Sequence, residues 1–104
     1  MQLAQIADLA WAGKHEEAIG AATATLGRKR IDVEERVSLL DLRAESLMAI
    51  GDLKGALADA EEMTALAKAE RRAHLLARAL SRRSAVKTRQ RRSWGAWDCS
   101  RPAR

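Results

Sequence analysis

With 104 residues, the chain is long enough for one small domain and too short for two. Hydrophobic residues make up 47% of it, Phe and Tyr are absent, and the one proline is Pro102, a composition that favours helix over sheet. Since no run approaches the roughly 18 apolar residues of a membrane span and the first residues lack the basic flank of a signal peptide, we expect a soluble, cytoplasmic protein.

The net charge of +5 is unevenly distributed. Residues 1–70 hold 8 Lys and Arg against 13 Asp and Glu, whereas residues 71–104 hold 11 against 1. The first part therefore carries −5 and the second +10. Such asymmetry indicates either contact with an anionic partner or a segment outside the packed fold.

Helical periodicity covers most of the chain. Residues 2–12 and 15–26 are predicted as two helices around Gly13, and residues 33–50 as a third, with Asp32 and Glu35 as a capping box and Gly51 as its stop. The third helix has one apolar stripe, formed by Val33, Val37, Leu40, Ala44, Leu47 and Ile50. Its start, buried face and end are therefore all predicted.

Two further helices are predicted after Gly51. Asp52 caps a helix over residues 53–68, and the short corner requires an antiparallel hairpin with the third helix. Its apolar side comprises Leu53, Leu57, Ala60, Met63 or Thr64, and Ala67. The last helix spans residues 69–90, with Leu75, Leu76, Ala79, Leu80 and Val86 as its apolar set. Residues 91–104 show no helical period, so we expect a basic, disordered tail.

The sequence repeats itself at an offset of 38 residues. The offset superimposes Gly13 on Gly51 and Ala18 on Ala56, and it also pairs Leu9 with Leu47 and Ile19 with Leu57. The segments Gly51–Ala60 and Gly13–Ile19 resemble the helix-turn-helix corner of tetratricopeptide repeats. The chain departs from that family in its period, which is 34 residues there, and in having Leu40 and Leu47 at large aromatic positions, so another α-solenoid type stays open.

The resemblance implies an all-α fold in which antiparallel hairpins stack as a short right-handed solenoid of about two and a half repeats over residues 1–90. It also implies a protein-binding scaffold that holds a peptide or partner segment on its concave face. The candidates for that face are Asp41, Glu45 and Met48, with Leu3, Ala7 and Ala10 beside them. An acidic lining with a methionine favours a basic or amphipathic partner, although these charges also fit an ordinary solvated face.

Catalysis, metal binding and cofactor binding are not expected. The single cysteine and the two histidines, His15 and His74, lie apart in the sequence, and adjacent carboxylates such as Glu61 and Glu62 point in different directions on a helix. We therefore predict that the chain is not an enzyme and carries no metal ion or cofactor.

The basic end supports an alternative function. Nucleic acid is the alternative partner, because arginines contact phosphates and tryptophans stack on bases. Its candidate residues are Arg78, Arg82, Arg89, Arg91, Arg92, Trp94 and Trp97. A solvated helix face followed by a disordered tail explains the same residues.

The break in the pattern at Gln90 suggests that the chain is a truncated or altered fragment of a longer repeat array, and a piece of a larger signalling or regulatory protein. In a fragment, the last helix lacks its partner, and its apolar face would promote self-association. That face comprises Leu75, Leu76, Leu80 and Val86.

Overall fold

The computed structural model describes residues 3–28 and 30–99, with side chains up to residue 92. Five α-helices follow one another in this part of the chain, and it contains no strand, which confirms the all-α prediction. The helices are α1 (Leu3–Trp11), α2 (His15–Leu26), α3 (Val33–Ala49), α4 (Leu53–Ala69) and α5 (Ala73–Cys99). The predicted bounds of α1 to α4 are correct to within one residue at each end.

The predicted bounds of the last helix are wrong at both ends. Helix α4 continues to Ala69, and α5 begins at Ala73. Because α5 extends to Cys99, residues 91–99 of the predicted disordered tail are helical, while residues 100–104 lie outside the described residues. The reason is local. Arg, Ser, Ala and Trp are all compatible with a helix, and the single glycine in this segment, Gly95, is not enough to end the helix.

Three helix corners share one backbone design. Gly13, Gly51 and Arg71 have φ values of 82°, 91° and 54°, the left-handed conformation that ends many helices. In each corner the following amide donates back across the last turn: Lys14 to Leu9 (2.9 Å), Asp52 to Leu47 (2.8 Å) and Arg72 to Ala67 (3.1 Å). The sequence identifies the first two corners by their glycines, but the third has an arginine, which explains why the start of α5 was misplaced.

The two predicted caps differ in outcome. Asp52 accepts a hydrogen bond from the Gly55 amide at 3.0 Å, as expected. A Cβ atom at Gly55 would lie 2.8 Å from the Asp52 carboxylate, so the missing side chain allows this close approach. Asp32 precedes α3 in extended conformation, but its side chain makes no capping hydrogen bond, so the predicted capping box is wrong.

Helix α3 lies at the centre of the molecule. Each helix packs against its neighbours in sequence, and α3 also contacts α1 and α5, whereas the backbones of α2 and α4 lie apart. Helices α1, α3 and α5 therefore lie side by side, with α2 and α4 packed against this row.

The core consists of three clusters, all of which include residues of α3. Leu39 packs with α1 and α2, whereas Leu40 packs with α4 and α5, although the two residues are adjacent. The clusters are Val37, Leu40, Met63, Ala67, Leu75 and Ala79; Ile6, Ala18, Ala22 and Leu39; and Ala44, Met48, Ala56 and Val86. The single stripe predicted for α3 missed Leu39 because this helix is covered on two sides.

Helix α5 is covered by α3 and α4. Leu75 and Val86 are buried, Leu76 is partly buried, and only Leu80 is substantially exposed, at 38%. The prediction of an uncovered apolar face on the last helix is therefore wrong for most of its residues. The proposed route to self-association loses its structural basis for the same reason.

Arg43 links three helices through its guanidinium group. Its Nε and Nη2 atoms donate to the two carboxylate oxygens of Asp59 on α4, at 2.7 and 2.5 Å, and Nη1 donates to Thr23 Oγ1 on α2 at 3.1 Å. The hydrogen bond to the buried Asp59, together with its charge, raises the pKa of Arg43. The two parallel hydrogen bonds satisfy the buried carboxylate, and the guanidinium group connects α2 to α4, whose backbones lie apart.

The left-handed Arg71 predicts a stabilising substitution. Arg71→Gly should raise the free energy of unfolding by about 1 kcal/mol, because glycine adopts this conformation without the steric cost of a Cβ atom. Urea denaturation measures the change. Ala65→Gly, at an exposed position inside α4, is the control and should lower stability by about 1 kcal/mol. Equal losses in both variants would contradict the prediction.

Candidate functional site

A continuous depression runs between α3 and α5, and we call it the α3–α5 groove. It consists of three adjoining cavities of about 290, 530 and 570 Å³. Ser81, Arg82 and Ala85 line the first cavity beside Asp41 and Arg78, and Met48, Ser84 and Thr88 line the second. Arg89 and Arg92 line both the second and the third, and the third is also lined by Ala49, Ile50, Gly51 and Leu53.

The groove combines an apolar wall with hydrogen-bonding side chains. Ser81, Ser84 and Thr88 recur at helical spacing on α5, so their hydroxyl groups form one stripe. Ile50, which follows α3 and is 48% exposed, supplies most of the apolar surface, and the nearly buried Met48 adds a small edge from α3. Apolar surface with a few hydroxyl and guanidinium groups is the usual chemistry of a binding cleft.

An ion-pair seam crosses the groove between α3 and α5. Arg82 Nε donates to Asp41 Oδ1 at 2.6 Å, and Arg78 Nη2 approaches Asp41 Oδ2 at 3.3 Å. Arg82 also reaches Glu45 Oε2 at 3.5 Å and lies 3.7 Å from the Met48 sulfur. One carboxylate, Asp41, is thus held by two arginines of the neighbouring helix.

The structure brings together residues that the sequence assigned to rival sites. Asp41, Glu45 and Met48 were candidates for peptide binding, whereas Arg78 and Arg82 were candidates for nucleic acid. Met48 is only 8% exposed because it packs in the core cluster with Val86, so its prediction as an exposed groove residue off the core stripe is wrong. Asp41 is partly buried and Glu45 remains exposed. On α1, Leu3, Ala7 and Ala10 are all partly buried.

The groove is basic rather than acidic. Asp41 and Glu45 are offset by Arg78 and Arg82, and within the described part of the chain Arg89 and Arg92 have no carboxylate partner. The predicted preference for a basic partner depended on an acidic lining, which the arginines of α5 neutralise.

The other nucleic-acid candidates lie toward the end of α5. Arg89, Arg91 and Arg92 are exposed. Trp94 and Trp97 belong to the same helix, but their side chains lie outside the described residues.

Glu34 joins the first turn of α3 to the start of α5. Its Oε1 atom is 2.7 Å from His74 Nε2 and 3.8 Å from Arg72 Nη1. The hydrogen bond to His74 is the main cause that lowers the pKa of Glu34, and the charge of Arg72 acts in the same direction. Spacing along one helix could not reveal this pair, since Glu34 is 40 residues from His74.

His15 has a partner that the sequence did not reveal. Its Nδ1 atom lies 3.4 Å from the hydroxyl of Ser46, which is fully buried. The pair joins α2 to α3, and a substrate could not reach this hydroxyl without displacing the helices. Across the described residues, no group of three or more His, Cys, Asp and Glu side chains is arranged to hold a metal ion. None of the described helices is long and apolar enough to cross a membrane.

No family model, curated protein or solved structure matches this chain.

The seam predicts a measurable coupling between Asp41 and Arg82. In a double-mutant cycle with alanine at both positions, the coupling energy should be about 1 kcal/mol, because the pair is only partly shielded from water. Urea denaturation of the four proteins gives this value. Arg83→Ala combined with Asp41→Ala is the matched control and should show no coupling, since Arg83 makes no ion pair in the described structure. Additivity of the Asp41 and Arg82 changes would contradict the seam.

The lowered pKa of Glu34 predicts a contribution to acid unfolding. The ionised carboxylate stabilises the folded state, and this contribution disappears as the pH falls from the ordinary value of 4.5 through the lower folded-state pKa. Glu34→Gln should therefore lose less stability than the wild type between neutral and acid pH. Melting temperatures across this range test the effect, with Glu35→Gln as the exposed neighbouring control. A Glu34→Gln curve parallel to the wild type would refute it.

Proposed function

We propose that the protein is a helical-repeat interaction scaffold that binds an extended segment of a partner protein in the α3–α5 groove. The observation that carries the proposal is the continuity of the groove, whose three cavities share lining residues along α5. A groove open along its length accommodates a chain segment better than an enclosed pocket would.

The repeated architecture supports the same function. The corners at Gly13 and Gly51 have the same backbone design, and each joins two antiparallel helices. Helices α1, α3 and α5 lie in one row, so residues from successive hairpins contribute to one surface. As part of the proposal, we assign this stack of helix hairpins to the tetratricopeptide-repeat type. The binding groove exists because α3 and α5 lie next to each other.

The side chains of the groove suit binding rather than catalysis. Ser81, Ser84 and Thr88 offer hydroxyl groups to the backbone of a ligand, and Arg89 and Arg92 offer charged donors. The exposed apolar surface of Ile50 contributes the burial that holds a ligand side chain. We therefore expect a neutral or acidic segment with apolar side chains, in a non-enzymatic complex.

A groove-filling substitution tests the proposal in the full-length chain. Ala85→Trp places an indole in the groove between Asp41 and Met48, and it should reduce capture of partner proteins from a nuclease-treated lysate by at least about tenfold, equivalent to about 1.4 kcal/mol. Quantitative mass spectrometry reads the captured proteins.

Ala65→Trp is the matched control, because Ala65 is an exposed alanine on α4 away from the groove. It should retain the wild-type set of partners. Loss in both variants, or retention in both, would reject the groove as the binding site. Charge reversal at Asp41 is less informative, because Asp41 also holds Arg78 and Arg82 of α5.

A further inference from the structure

The cations of α5 fall into two groups according to whether the fold neutralises them. Near its start, Arg72 and His74 face Glu34, and Arg78 and Arg82 face Asp41 and Glu45. In the second half of the helix, no carboxylate of the described structure pairs with the remaining cations, which are Arg83, Lys87, Arg89, Arg91 and Arg92. Five cations without a carboxylate partner in the described structure are therefore clustered within ten residues of one helix.

Three of these cations follow one another in a row along α5, which we call the basic ridge. Arg83, Lys87 and Arg91 are spaced four residues apart, so they share one helix face and follow one another at about 6 Å along the axis. Lys87 and Arg91 are exposed and Arg83 is partly exposed. The helical period places Arg83 on the opposite side of α5 from the groove residues Ser81 and Ala85. Lys87 and Arg91 lie beside the edge of the groove that Ser84 and Thr88 form.

The ridge weakens the helix that carries it. Like charges four residues apart repel each other and destabilise a helix, and the ridge contains two such pairs. An anionic polymer lying along the ridge would replace this repulsion with attraction. Evenly spaced cations on a rigid rod suit a ligand whose charges are also evenly spaced, which describes a phosphate backbone better than a folded acidic surface. Arginine adds bidentate hydrogen bonds to phosphate oxygens.

We propose that the basic ridge of Arg83, Lys87 and Arg91 binds nucleic acid through its phosphate backbone, at a surface that adjoins the α3–α5 groove but does not include its floor at Ser81 and Ala85. Because phosphate contacts carry no sequence information, binding through the ridge is independent of base sequence. Arg78 and Arg82 do not take part, since their guanidinium groups are held by Asp41. The ligand thus contacts only the half of α5 whose charge the fold leaves uncompensated.

Fluorescence anisotropy with a labelled single-stranded DNA of mixed sequence tests the ridge in the full-length chain. Affinity should fall more than about tenfold between 50 and 200 mM salt, because three phosphate contacts give a slope of about −2 in log affinity against log salt concentration. The triple variant Arg83→Gln, Lys87→Gln and Arg91→Gln should lose about this much slope and bind at least about tenfold more weakly at the lower salt concentration.

The matched control removes three positive charges elsewhere, with Lys14→Gln, Lys54→Gln and Lys68→Gln at exposed positions. It should retain the wild-type slope and affinity to within about threefold, a range typical of weak long-range charge effects. Unchanged binding by the ridge variant, or an equal loss in the control, would overturn the proposal. Competition by polyglutamate as effective as competition by unlabelled DNA would also overturn it, by identifying an acidic protein as the ligand.

Two further measurements keep the result interpretable. The ridge variant should have a melting temperature no lower than that of the wild type, because it removes two repulsive pairs. If the triple variant fails to fold, the single variant Arg91→Gln replaces it. This variant should reduce the slope of log affinity against log salt concentration by about 0.7. An unchanged slope in that single variant would reject the ridge. Ala85→Trp should leave DNA affinity unchanged, so failure of the ridge and failure of the groove can be told apart.

Discussion

The two-sided burial of α3 is the constraint on which the rest of the structure depends. Leu39 and Leu40 are adjacent, yet each belongs to a different core cluster, so helices must cover α3 on both sides. Arg43 reinforces this position, because its guanidinium group holds the buried Asp59 of α4 and also reaches Thr23 of α2. Without α3, α1 would still contact α2 and α4 would still contact α5, but no helix contact would join the two pairs.

The packing of α5 against α3 forms both part of the core and the candidate site. Val86 enters the cluster that contains Met48, while Arg78 and Arg82 take up the charge of Asp41. The groove is the space that remains beside this seam, and its electrostatic character follows from the arginines that α5 brings. A change at Asp41 therefore acts on stability and on the groove together, whereas Ala85 and Ser84 lie in the groove without taking part in the seam.

Most of the helical architecture could be predicted because its signals are local. The apolar periodicity of α1 to α4 and the glycines at positions 13 and 51 lie within a few residues of the features that they determine. The errors occurred where the signal was absent or ambiguous. Arg71 adopts the left-handed conformation without being glycine, and residues 91–99 have neither a strong period nor a sufficient helix breaker. Asp32 has the right residue type for a cap but does not form the bond.

The candidate site was predicted as separate pieces, because spacing rules identify neighbours only within one helix. Asp41, Met48, Arg89 and Arg92 were each singled out, but nothing in their spacing indicates that α3 and α5 form one groove. Ser81, Ser84 and Thr88 were missed, since small polar residues on a helix resemble any solvated face. The acidic character expected for the groove was wrong because its compensating arginines come from another helix.

The sequence alone determined that the chain is helical, where four of its helices lie, and that its positive charge is concentrated at one end, because propensity, periodicity, capping and composition are properties of short segments. Only the tertiary structure decided which charges are neutralised. Asp41 and Arg82 are 41 residues apart, and Glu34 and His74 are 40 residues apart. Whether such groups meet depends on how the helices pack, and that packing is set by the burial of α3 rather than by the charged residues themselves.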